Sequence, residues 1–221
     1  MRGYLLLIPA VLLMVSCATQ QEQVAPAIPE AEAVIAAPAP TPGPPETFDY
    51  TENPTLALIP LGAVRGQANG EEFTVNTIIF EPKSDGTWEV KFCEADLDDP
   101  TEVLIDGQYI YLDLAEAPEA GKVIEKPMEF GAGFFQITLP DGTGTTSWNA
   151  DNAWVLEITD WNQEPWDPDD DFFQTAGTAS GRVAVCYKGY GDFENSWAAG
   201  NFDGAVIRYM GEPPWVQESE E

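Results

Sequence analysis

The chain contains no histidine. Imidazole is the commonest general base and the commonest transition-metal ligand, so serine-histidine-acid triads, cysteine-histidine dyads and histidine-held zinc are excluded together. Positive charge is scarce as well: 9 Lys and Arg stand against 38 Asp and Glu, a formal net charge of −29. Such a chain repels phosphate backbones and anionic head groups, and nucleic-acid binding is excluded on that ground. Long apolar runs are also missing. The stretch from Tyr4 to Val15 stops well short of the about 20 apolar residues that a membrane-spanning helix needs. Carboxylate chemistry of the glycosidase kind survives these filters. With acids spread over the whole chain, however, no catalytic pair stands out, and the expectation is a protein that is not an enzyme.

What is present begins at the N-terminus. Arg2 precedes the apolar stretch and Ser16 and Cys17 follow it, the order of a secretory signal peptide. Met14-Val15-Ser16-Cys17 resembles a bacterial lipobox. The resemblance implies that residues 1–16 are removed as a lipoprotein signal peptide. It also implies that the Cys17 thiol carries a diacylglycerol thioether and that the new amino terminus receives a further acyl chain such as palmitate. Met14 departs from the commoner leucine, but the small Ser16 and the thiol are what the processing chemistry uses. At about 0.8 kcal/mol per buried CH₂, two or three chains make a durable membrane anchor. Ala18, in place of the aspartate associated with inner-membrane retention, implies an exported protein anchored to the outer membrane, on its periplasmic or cell-surface side.

Residues 17–54 read as the lipidated cysteine and a linker. From Ala18 to Glu46 there is no Lys or Arg, and Pro26, Pro29, Pro38, Pro40, Pro42, Pro44 and Pro45 punctuate an Ala/Glu/Gln background. This composition cannot bury a core. In polyproline II form, at about 3.1 Å per residue, it would reach roughly 90 Å.

From 55 to 215 the composition changes to short aromatic and β-branched runs separated by turn signals. The signals are Asn69-Gly70, Ser84-Asp85-Gly86, Asp106-Gly107, Asp141-Gly142 and Asp203-Gly204. Read by parity, Trp88, Val90 and Phe92 share a face, as do Ile110, Leu112 and Leu114. The same holds for Phe135, Ile137 and Leu139, for Trp154, Leu156 and Ile158, and for Val183, Val185 and Tyr187. Segments with one apolar face each need a common core. The pattern predicts an all-β domain, an antiparallel sandwich or flattened barrel of about eight to ten strands, with helices at most minor. Residues 216–221 read as an acidic tail.

Cys93 is out of phase with Trp88, Val90 and Phe92, and Cys186 with Val183, Val185 and Tyr187, so both thiols are expected to point away from the core. In an exported chain disulfides persist, and a Cys93 to Cys186 bond is expected, contributing roughly 4 kcal/mol by loop closure.

The acidic segment from Asp160 to Phe173 stands apart from the strand pattern. Asp167, Asp169 and Asp171 have the alternate spacing with which calcium loops aim carboxylates at one ion. Phe172 and Thr178 occupy the positions where such loops carry glycine and glutamate, and a solvated acidic loop is the competing reading. Calcium is the one cofactor that this spacing suggests. Trp161 and Trp166 would stack on sugar rings or peptide side chains if exposed, or else fold back to close the end of the domain. Ser147-Trp148-Asn149-Ala150-Asp151-Asn152 and Ser196-Trp197-Ala198-Ala199-Gly200-Asn201 share a six-residue pattern that extends no further.

Segments 66–75, 178–186 and 200–207, with their glycines and alternating hydrophobics, resemble β-sandwich lipoprotein domains of deltaproteobacteria that have no assigned activity. The expected function is that of a membrane-anchored envelope lipoprotein with a non-catalytic binding or structural β-domain. Its partners would be the membrane, through the lipid, and an envelope glycan or protein. The alternatives are a carbohydrate-active module, sugar-binding or a carboxylate glycosidase, and a carrier of an apolar ligand.

Overall fold

Alternating apolar residues do become strands. The computed structural model describes residues 45–96, 109–138, 145–170 and 172–217, the stretches 131–138 and 145–148 as backbone only. Cys17 and the linker before residue 45, the Asp106-Gly107 and Asp141-Gly142 signals, Asp171, and the inward face assigned to Phe135, Ile137 and Leu139 lie outside the described residues or side chains.

In chain order the strands are β1 (Arg65–Ala68), β2 (Glu71–Thr74), β3 (Thr77–Pro82), β4 (Trp88–Cys93), β5 (Tyr109–Leu114), β6 (Val123–Thr138), β7 (Thr145–Gln163), β8 (Phe173–Tyr187) and β9 (Ser196–Met210). Among the described residues the only helical pieces are a 3₁₀ turn at Leu56–Leu58 and a short helix α1 (Pro214–Gln217). Asn69 and Gly70, with φ of 47° and 87°, close the β1–β2 hairpin in the doubly left-handed turn that matches strand twist. Between β3 and β4, the Asp85 carboxylate accepts the Thr87 N–H at 3.0 Å and its hydroxyl at 2.5 Å.

The strands form one curled, mixed sheet in the order β2-β1-β9-β3-β4-β5-β6-β7-β8, and β8 returns to pair with β9. All neighbours run antiparallel except β3 and β9, which meet in parallel through Ile79↔Val206 and Phe80↔Ile207. A second narrow seam joins β5 to β6 at Tyr109↔Gln136 and Ile110↔Phe135. The two seams divide the ring into a three-stranded wall, β3-β4-β5, and a longer wall, β6-β7-β8-β9, that also carries the β1–β2 hairpin. Sandwich and flattened barrel are thus two descriptions of one object. The Tyr187 hydroxyl crosses between the walls to the Tyr111 carbonyl at 2.9 Å.

The predicted inward faces fill the interior. Trp88, Val90, Phe92, Ile110, Leu112, Leu114, Trp154, Leu156, Ile158, Val183, Val185 and Tyr187 all belong to one buried cluster. Each such side chain contributes about 1.5–3 kcal/mol on burial. Asp203-Gly204, expected to be a turn, is instead a bulge within β9. Between Ala179↔Ala205 and Gly181↔Phe202, β9 carries one residue more than β8. The extra residue keeps Phe202, Ala205 and Ile207 all buried, which strict alternation would forbid. Asp-Gly favours positive φ in a bulge as readily as in a turn.

The expected Cys93 to Cys186 disulfide is not formed; both thiols are free and buried. β4 and β8 lie on opposite walls and are not neighbours in the sheet. Parity was a correct guide to the outward direction, but outward here does not mean solvent. Cys186 sits in a second apolar cluster with Phe48, Ile59, Val155, Ala184 and Ala199. The segment from Phe48 to Ile59 therefore straps the outer face of β7, β8 and β9, and the folded body begins before the boundary drawn at residue 54.

Burial pushes the Cys93 thiol up to about 12 and the Cys186 thiol up to about 11, against about 8.5 for a free cysteine. The folded state holds these protons over a pH range in which the unfolded chain releases them. The stability they confer is complete below about pH 8.5 and declines as pH rises toward the folded values. In a Cys17→Ser chain, native protein should resist alkylation at pH 8 and expose two reactive thiols on unfolding. A mobility change on reduction would show instead that a bond had formed.

Candidate functional site

The turn between β8 and β9 projects an aromatic side chain into solvent. Tyr190, set between Gly189 and Gly191, is 81% exposed, and Phe130 on β6 is 73% exposed. The register of β6 against β7 shifts just after Phe130, and such bulges re-aim neighbouring side chains. Tyr190 and Phe130 line the same cavity of about 350 Å³, with Asn149, Asp151 and Lys188. Tyr190 also lines a broader hollow of about 690 Å³ with Asp49, Tyr50, Glu194, Asn195 and Trp197. Both volumes lie within the range of small-ligand sites, about 300–1,000 Å³.

The turn is braced from three directions. The Asn195 amide oxygen accepts the Gly189 N–H at 2.8 Å, and the Asp151 carbonyl accepts the Lys188 N–H at 2.8 Å. The β1–β2 hairpin supplies the third brace: Asn69 Oδ1 accepts the Glu194 N–H at 2.7 Å, while the Asn69 N–H donates to Ser196 Oγ at 2.8 Å. The Asn-Gly turn that closes the hairpin therefore also holds the loop presenting Tyr190. The second six-residue repeat, 196–201, begins at this brace.

Electrostatically the site is acidic. Lys188 ion-pairs with Glu52 of the strap at 3.1 Å, leaving Asp49, Asp151 and Glu194 to set the sign. The Tyr50 hydroxyl is enclosed and, among the described residues, has no hydrogen-bond partner. Burial, followed by Glu52, Cys186 and Asp151, pushes its proton affinity up to about 12. Elsewhere five further cations stand in ion pairs, while Lys126 donates to Asn152 Oδ1 at 2.7 Å. Lys83 holds Asp113 at 2.5 Å, Lys91 holds Glu89 at 2.9 Å, Lys122 holds Glu116 at 2.7 Å, Arg208 holds Glu81 at 2.6 Å and Arg182 holds Glu157.

The aromatic residues singled out in the sequence lie at the other end of the barrel and are not exposed platforms. Trp161 is the continuation of β7, packed edge-on against Trp88 and Phe80 with ring centroids 5.5 and 5.3 Å away. Its Nε1 donates to Gln163 Oε1 at 3.0 Å. Trp166 also packs on the main core. Both close the barrel, aided by Trp215 of α1, which stacks on Trp88 at 5.7 Å. The acidic loop is built on its own backbone. Asp167 Oδ1 accepts the Asp169 N–H at 2.9 Å. The buried Gln174 amide clamps Asp167 through its N–H at 3.1 Å and its carbonyl at 2.6 Å. Asp167 is thus used as a turn former, and among the described residues no three acidic or thiol groups gather as a metal cage.

A further cavity of about 360 Å³ opens where the edge of β9 changes partner from β1 to β3, with Asp96 and Asp203 in its lining. The Asp203 carboxylate accepts the Ser180 hydroxyl at 2.6 Å.

Tyr190 and Phe130 were not foreseen from the sequence. The available signal was an aromatic residue flanked by glycine, in Gly189-Tyr190-Gly191 and Phe130-Gly131, where no alternating run gives it a core to face. Comparison with protein-family models, curated proteins and solved structures finds no match for this chain.

Proposed function

We propose that this chain is a membrane-anchored envelope lipoprotein whose β-domain is a non-catalytic glycan-binding module, with Tyr190 and Phe130 as its contact surface. The observation that carries this reading is the pair of exposed aromatic rings sharing one cavity with Asn149, Asp151 and Lys188. Sugar rings present apolar C–H faces that stack on such rings, and the surrounding amides and carboxylates accept their hydroxyls. The interior filled by Trp88, Phe92, Tyr187 and their neighbours favours a surface site over a lumen for an apolar ligand. The glycosidase alternative would place Asp96 and Asp203 as its carboxylate pair, and a glycan cleaved by the wild type but not by Asp203→Asn would establish it.

A screen of glycans and cell-wall fragments against the full chain, with and without calcium, tests the proposal. Tyr190→Ala is expected to weaken any hit at least tenfold and Phe130→Ala severalfold, with the unfolding midpoint unchanged because both rings stand in solvent. Retained affinity in both variants would remove this face from consideration. The anchor has its own test: in an expressing bacterium Cys17→Ser should move the protein from the membrane to the soluble fraction and abolish the acylated N-terminal peptide seen by mass spectrometry.

A further inference from the structure

Resting on the glycan-binding reading, we infer that the Tyr190 site selects glycans carrying free amino groups, a glucosamine-type polymer, over neutral N-acetylated or uronic glycans. Asp49 and Glu194 share one hollow with Tyr190 and Asp151 shares the other. The one cation lining these two hollows among the described residues, Lys188, is already held by Glu52 at 3.1 Å. A uronate entering here meets a lining in which Asp49, Asp151 and Glu194 outnumber the cations Lys188 and, near Asp151, Lys126, whereas a protonated amine meets carboxylates beside an aromatic ring. An ammonium over a tyrosine ring is attracted by the negative face of the ring, and the carboxylates add to it.

Aromatic stacking alone would bind acetylated and free-amine sugars alike. The carboxylates make the difference between them, and specificity is such a difference of affinities.

The test is calorimetric titration of the full chain with a glucosamine tetramer, the matching N-acetylglucosamine tetramer, a galacturonate tetramer and a lysine tetramer as a charge control. The glucosamine tetramer is expected to bind at least tenfold tighter than its acetylated form, with the preference shrinking as salt rises, and the galacturonate not to bind. Tyr190→Ala should remove binding of both amino-sugar forms. Asp151→Asn combined with Glu194→Gln should erase the preference while leaving stacking-driven binding of the acetylated form. Equal or tighter binding of the acetylated tetramer would overturn this inference and leave the glycan reading standing. Lysine-tetramer binding as tight as glucosamine, unchanged by Tyr190→Ala, would reduce the effect to bulk charge and overturn it as well. Binding of no glycan at all would remove the underlying function.

Discussion

Replacing Arg208 with alanine is expected to lower the unfolding free energy by about 3–5 kcal/mol, the cost of leaving a buried charge without its partner. Arg208 is 3% exposed and Glu81 6%. Both Nε and Nη2 of Arg208 reach Glu81 Oε2, at 3.0 and 2.6 Å. Lys91 approaches the other carboxylate oxygen at 3.6 Å, and the guanidinium lies 5.5 Å from the centroid of the Phe173 ring on β8. The location amplifies the loss. Glu81 follows Phe80 on β3 and Arg208 follows Ile207 on β9, directly beyond the two registered pairs that close the barrel in parallel. The ion pair is the clasp of that seam. Denaturant titration should show the drop in midpoint, and hydrogen exchange should accelerate first along β3 and the C-terminal half of β9. The double change Glu81→Leu with Arg208→Met, which removes both charges, should cost much less than either single change. Equal losses in the single and double variants would show that packing and not charge holds the seam.

Trp88→Ala is the second large effect, expected to cost about 3–5 kcal/mol. Trp88 is 1% exposed and stands where three elements converge: its own strand β4, the Trp161 ring from β7 and the stacked Trp215 ring from α1. Removing the indole opens a cavity and unseats the plug formed by α1. Near-ultraviolet circular dichroism should lose the coupled tryptophan signal, and the thermal midpoint should fall by about 2–4 °C per kcal/mol for a domain of this size. A loss under 1 kcal/mol would mean that Trp161 and Trp215 collapse into the space. The glycan binding proposed for the Tyr190 face, at the other end, should persist in folded Trp88→Ala protein.

The fold was legible because its inner faces alternate without exception where the strand is straight. Parity placed Trp88, Leu112, Leu156 and Val185 correctly with no structural information. It failed wherever the ladder gains a residue. Asp203-Gly204 carries the chemistry of a turn and sits in a bulge, because the same left-handed backbone serves both. Parity also says nothing about what covers the outer face. Cys186 points outward as expected and is buried all the same, since the strap that covers it is distant in sequence and its Phe48 stands just past a proline-rich run. The parallel seam was equally hidden, because it depends on β9 changing partners midway along one edge. Trp161 and Trp166 drew attention as aromatics among acids, yet they close the barrel. Tyr190 drew none, because a lone exposed ring leaves no periodic trace.

The strap also has a mechanical consequence. Phe48 meets Trp197 of β9 at 5.3 Å between ring centroids, and Glu52, four residues on, holds Lys188 beside the Tyr190 turn. Tension arriving from the N-terminal side of Phe48 would be borne first by that ring contact and next by the Glu52–Lys188 pair, before any strand ladder takes load. Under such tension the strap would peel while the barrel stays intact, and its first motion would tug on the turn that presents Tyr190.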